Sequence, residues 1–282
     1  MRDIPAEREA TLADHLAGPG GRSRHLDGAI AVLALAAIVF LLLGAPHGLM
    51  DKADRAAYAV CHRIPERSFL IAGRPLPLCA RCSGTYLGTL AALAVLTLRR
   101  RGRASHLPAL RYLGVFAFFM LVWAADGFNS FLALFPGLPH LYEPRNTLRL
   151  VTGTLEGLVL GAVLLAAWNA TVWTEPDDTP SVGSWRDLAW MLAGGAVVIA
   201  LVSRPWAPLL LPLALLSGAA IVGLVATVNT MLVLMLWGRE GQFRRRREAV
   251  APIMAGLALA MGELALVGMG RSALEAWLGW PF

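Results

Sequence analysis

Seven long apolar runs separated by short polar stretches set the pattern of this 282-residue chain. They lie between Asp27 and Asp51, between Arg81 and Arg99, and from near Leu107 past Arg111 to Asp126 and beyond. The others run from Arg149 to about Trp173, between Asp187 and Arg204, between Pro205 and Gly238, and from Val250 to Gly270. A bilayer core takes a helix of about 20 mostly apolar residues, with roughly 17 as the lower limit. The runs lie near or above that limit, so the pattern predicts an all-α, polytopic integral membrane protein with seven transmembrane helices. Three parts follow: a polar cytoplasmic tail (1–27), a four-helix core (28–173) with a polar loop after its first helix, and a three-helix C-terminal extension (174–282). Pro136 is the expected stop after the third run. The sixth run is longer than one crossing needs, and Pro205, Pro208 and Pro212 predict an irregular start to a single helix.

Composition closes off the soluble alternative. The chain is 57% hydrophobic and only 16% charged, against about 25% charged in soluble domains. The net charge of +6 points to topology, because the arginines sit between apolar runs. With the N-terminus inside, 15 of the 25 basic residues fall on the cytoplasmic side, including the dense clusters at 99–103 and 244–247. The positive-inside rule therefore predicts a cytoplasmic N-terminus and an outer C-terminus. The expected partner is the lipid bilayer, and nucleic acid is not one.

Candidate chemistry is concentrated in the loop after the first helix. All three cysteines lie there, with Cys61 followed by His62, and Cys79 and Cys82 forming a CxxC at the start of the second helix. Zinc takes thiolates and imidazoles in a tetrahedral shell, and a CxxC clips two of its four positions. Cys61 supplies a third thiolate. His62 is a candidate fourth ligand; if it faces away, water or substrate fills that position. A second chemistry is thiol redox: a CxxC at a helix N-terminus, with Arg81 between its cysteines, has lowered thiol pKa values. A disulfide or simple burial of three small side chains is the bland alternative. CxxCH heme attachment is excluded because Ser83 follows Cys82. Pro65, Pro75 and Pro77 forbid a long helix between the cysteine groups, and Gly73 marks a turn, so a compact hairpin is expected to carry Cys61 onto the CxxC.

Ionisable groups at membrane depth are costly and face a bundle interior. Two crossings return the chain from the cysteine loop to the same side, which places Asp126, Asn129, Arg145, Asn146 and Arg149 with the cysteines whichever side is outside. Glu156 lies seven residues after Arg149, on the same face and about 10 Å deeper. These six residues are the expected polar pocket, with Arg149 pairing Asp126 or Glu156, or binding an anion. The GxxxGxxxG stripe of Gly153, Gly157 and Gly161, matched by Gly84 and Gly88, predicts close helix packing and a central fourth helix.

The run Cys-His-x-x-Pro-Glu-Arg-Ser-Phe (61–69), then Cys-Ala-Arg-Cys-Ser-Gly-x-Tyr-x-Gly (79–88), resembles the signature of an uncharacterised prokaryotic membrane protein family, domain of unknown function 2085. Asp126-Gly127 and Asn146-x-x-Arg149-x-x-x-Gly153 are similar to its second motif. The resemblance spans roughly residues 50–165. It implies a bacterial or archaeal cell membrane and no particular reaction. The readings left open are an extracytoplasmic Cys/His zinc site, a thiol-disulfide oxidoreductase using the CxxC pair, and a transporter or assembly factor whose cluster is structural.

Overall fold

The structure is a computed structural model that describes residues 20–44, 48–135 and 137–279. The tail before residue 20 and the Pro136 stop lie outside the described residues. Among the described residues there are eight α-helices: α1 Gly20–Leu43, α2 Leu49–Val60, α3 Ala80–Leu98, α4 Leu110–Leu132, α5 Asn146–Val172, α6 Trp185–Val202, α7 Leu210–Leu236 and α8 Val250–Leu278. All but α2 are long and apolar enough to cross a membrane, which gives the seven spans that the pattern predicts. The sixth span is a single crossing over Ala207–Leu236. Its prolines produce a short 3-10 turn, Ala207–Leu209, before α7 proper. Leu33, Phe40, Phe118, Leu121, Phe128 and Leu266 point outward and are exposed. In water such a surface would be unfavourable by about 25 cal/mol per Å²; in lipid it is solvated.

α2 is the departure from the expected pattern. Twelve residues are too few to span, and one face, Ala53 and Ala57, is buried. It packs across the ends of α7 and α8. α8 also continues two turns beyond Gly270, so its end reaches back over α2.

α3 and α5 make the most extensive helix contact in the fold. The apolar span of α5 is 67% buried against 11% for α1, which makes α5 the central helix. The glycine stripe is the cause. A Cβ at Gly153 would strike the Arg81 carbonyl, and one at Gly157 the Thr85 carbonyl, so only hydrogen lets the backbones approach this closely. Hydroxyls along the seam are satisfied locally: Thr85 donates to Arg81 O (3.2 Å), Thr89 to Thr85 O (2.8 Å) and Thr154 to Leu150 O (2.7 Å). α4 lies against α5, α6 against α3 and α5, and α1 chiefly against α8. Tyr112, Phe116, Leu158, Leu165 and Met191 fill the core between α3, α4, α5 and α6. At the end away from the cysteines, Asp187 caps α6 through Ser184 and accepts Arg99 (3.4 Å) and Arg101 (3.2 Å).

Candidate functional site

The loop between α2 and α3 folds back on itself. α2 ends at Cys61, whose backbone is extended (φ −135°, ψ 143°). Arg63 has φ 54°, and Pro65–Arg67 form one 3-10 turn. Strands β1 (Leu70–Ile71) and β2 (Arg74–Pro75) then pair antiparallel. Ala72 (φ 51°) and Gly73 (φ 76°) make the turn between them, as the glycine predicts. Buried Ile71, Leu76 and Leu78 anchor the hairpin to the helices. The chain thereby arrives at Cys79, the N-cap of α3, beside Cys61; Cys82 follows three residues on, on the same side of the first turn.

The three sulfur atoms lie within 4.8 Å of one another. Cys61 and Cys79 are 5% and 2% exposed, and all three are free thiols. Three sulfurs at about 2.3 Å from one tetrahedral zinc would stand about 3.8 Å apart, so a contraction of an ångström or less closes the set around an ion. The Cys79 backbone N–H donates to Cys61 Sγ at 3.3 Å. Hydrogen bonds from the Cys79 and Cys82 thiols hold the Cys61 thiol well below its ordinary value. The hydrogen bond to Cys61 pushes Cys79 up. Cys61 is therefore the sulfur that ionises first. Arg81 pairs with Asp126 on α4, and the Cys79 pKa is raised where the sequence predicts a lowered one.

His62 is exposed, its Nδ1 accepts from Ile64 N at 3.1 Å, and it is not one of the group within 4.8 Å. Partial burial pulls its pKa down, opposed by the Cys61 sulfur and supported by Arg67, Arg149 and Arg271.

The expected polar residues occupy the same end of the bundle, with different partners from those considered. Buried Asp126 on α4 pairs with Arg81 rather than Arg149. It also accepts the Tyr142 hydroxyl (2.8 Å) and the Thr152 hydroxyl (3.1 Å). Glu156 accepts the Thr85 hydroxyl at 2.6 Å. Arg149 donates to Asn146 Oδ1 at 2.9 Å, and Asn146 donates to the carbonyls of Glu66 (3.0 Å) and Ser68 (3.4 Å), which ties α5 to the cysteine loop. Asn129 shapes the α4–α5 connection by accepting from Leu141 N (2.7 Å) and donating to Tyr142 O (2.9 Å). Arg145, the N-cap of α5, is exposed, and its side chain forms no hydrogen bond with a described residue.

Several residues that hold the site carry no distinctive sequence signal. Arg271 on α8 donates to the carbonyls of Tyr58 (2.9 Å), Cys61 and His62 (3.2 Å), and so fixes the backbone at the first cysteine. In sequence it is one basic residue at the end of an apolar run. Asp54 receives Arg63 and Arg74, each at 2.7 Å, and locks α2 to the hairpin. Arg67 reaches Ser130 O at 3.3 Å.

The family described as "Predicted membrane protein (DUF2085)" matches residues 61–163, from Cys61 into α5. The resemblance read from the two motifs holds over this stretch, which contains every residue of the sulfur cluster and polar pocket. An uncharacterised protein of Methanocaldococcus jannaschii is 30% identical over 101 residues, 36% of this chain and 58% of that one. An uncharacterised protein of Methanothermobacter thermautotrophicus is 55% identical over 29 residues, 10% of this chain and 26% of that one. The chain thus covers little more than half of the first relative and about a quarter of the second. No solved structure matches.

Proposed function

We propose, taking the family match over residues 61–163 as the premise, that this protein of the prokaryotic cell membrane binds one zinc ion through Cys61, Cys79 and Cys82 at its extracytoplasmic end. The observation that carries the reading is the gathering of three free sulfurs within 4.8 Å. They come from two segments held together by a hairpin, a backbone N–H bond and Arg271. Soft thiolates favour zinc over hard ions such as magnesium or calcium. Three protein ligands leave a fourth position: His62 there would close a structural site, whereas water or substrate there would make it an open, catalytic one. The N-terminus is cytoplasmic in this reading, by the arginine clusters. The polar pocket of Asp126, Asn129, Arg145, Asn146, Arg149 and Glu156 belongs to the same site. Metal content of the purified protein, wild type against Cys79→Ser, is the test. About one zinc per wild-type chain, lost in the variant, supports the reading; metal-free protein with three inert thiols contradicts it.

A second reading is thiol-disulfide exchange, favoured by the early ionisation of Cys61 beside two thiols. Burial of Cys61 and Cys79 weighs against it, because exchange needs access to the attacked sulfur. A reducible Cys79–Cys82 disulfide in metal-free protein would favour it.

A further inference from the structure

We infer that Arg67, Arg81 and Arg149 form a binding site for a phosphate group beside the cysteine cluster. The three arginines come from three elements: the 3-10 turn of the loop, the first turn of α3 and the first turn of α5. They converge. Arg67 reaches the Ser130 carbonyl (3.3 Å) and Arg81 the Ser130 hydroxyl (3.1 Å). Thr152 links the Asp126 carboxylate to the Arg149 carbonyl, at 3.1 and 3.2 Å. Asn146, which holds the Arg149 side chain (2.9 Å), donates to the carbonyls of Glu66 and Ser68 on either side of Arg67.

The carboxylate that meets these cations is Asp126, which is already engaged by Arg81, Tyr142 and Thr152. Neither Arg67 nor Arg149 forms an ion pair with a described residue. Arg67 lies in the loop that joins Cys61 to Cys79, and Arg81 stands between Cys79 and Cys82, so the phosphate would sit next to the thiols. Arg149 is only 7% exposed, and a buried guanidinium without a counter-charge is unfavourable. Its Nη1 is committed to Asn146. Its Nε is buried without a partner, and its Nη2 has no hydrogen bond to a described residue. The free Nε–Nη2 edge is the one that clasps two oxygens of a carboxylate or phosphate. Phosphate fits better, because three guanidiniums approaching from three elements need oxygens directed out of one plane. The inference does not depend on a metal at the cysteines.

The phosphate could belong to a free anion or to a lipid headgroup, and two arms separate these. In the first, inorganic phosphate is titrated calorimetrically into the full chain in phosphate-free maltoside micelles. In the second, native mass spectrometry counts phosphatidic acid retained by the chain released from phosphatidylcholine nanodiscs containing it. Saturable binding in either arm, weakened at least tenfold by Arg149→Lys and by Arg67→Gln, is expected. Arg149→Lys keeps the charge and guards against simple misfolding. No binding in both arms, or wild-type binding by either variant, overturns the inference.

Discussion

The backbone N–H of Cys79 points at the sulfur of Cys61, 3.3 Å away. That N–H stands at the start of α3, where helical donors have no intrahelical acceptor. The sulfur therefore serves as part of the helix cap while being held as an acceptor, the state a metal ligand requires. The contact joins residues 18 positions apart in the chain, so the hairpin, α2 and the end of α8 all bear on the geometry of the sulfur cluster.

Asp126 is 2% exposed and receives Arg81. Asp126→Asn leaves the guanidinium without its counter-charge and should lower stability by about 3 kcal/mol, the lower end for breaking a buried pair. Thermal unfolding in detergent measures it. The double variant with Arg81→Met should recover part of the loss; additive effects would show that the pair is not coupled.

Gly153→Ala places a methyl group on the Arg81 carbonyl, whereas a Cβ at Gly114 on α4 meets no described residue within 4 Å. Overpacking of this kind costs about 1–3 kcal/mol, and a free surface site stays within about 0.5 kcal/mol of wild type. Unfolding of the two variants side by side should separate them, with Gly114→Ala near wild type. Equal stabilities would mean that α3 and α5 are not in backbone contact.

Tyr142 gives a pH signature. Partial burial, and then its hydrogen bond to Asp126, push its pKa up from the ordinary 10.0 to about 12. The folded state holds the proton more tightly than the unfolded one. Its stabilising contribution is thus complete below pH 10 and is lost as pH rises towards about 12. Melting temperature should fall more steeply over this window in wild type than in Tyr142→Phe. Parallel curves would remove the Tyr142–Asp126 bond from the account.

Seven crossings with a cytoplasmic N-terminus put the C-terminus and the cysteine loop outside. Alkaline phosphatase fused to the C-terminus should be active and green fluorescent protein fused there dark. The opposite pair of results would reverse the orientation while leaving the sulfur cluster unchanged.

The spans were legible because a bilayer imposes length and apolarity on every crossing helix, and the residue 205–238 run resolves as one crossing with a proline-disturbed start. The convergence of Cys61 on Cys79 and Cys82 was legible from three prolines and Gly73, which leave little besides a hairpin. α2 was not. Its charged residues Asp51, Lys52, Asp54 and Arg55 read as loop, and the small Ala53 and Ala57 on which it packs give almost no hydrophobic signal. Ion-pair partners were not legible either. Arg81 and Arg149 both stand in the first turn of a helix at the same end of the bundle, and nothing in their sequence spacing gives Arg81 priority for Asp126. Arg271 lies 210 positions from Cys61 in sequence, and no local pattern connects them.

The sharpest test of the central claim is the zinc K-edge absorption fine structure of the purified, zinc-loaded protein. The first shell is expected to hold three sulfur scatterers at about 2.3 Å, falling to two in Cys61→Ser. Protein that takes up no zinc, or zinc whose first shell holds only nitrogen and oxygen, would contradict it.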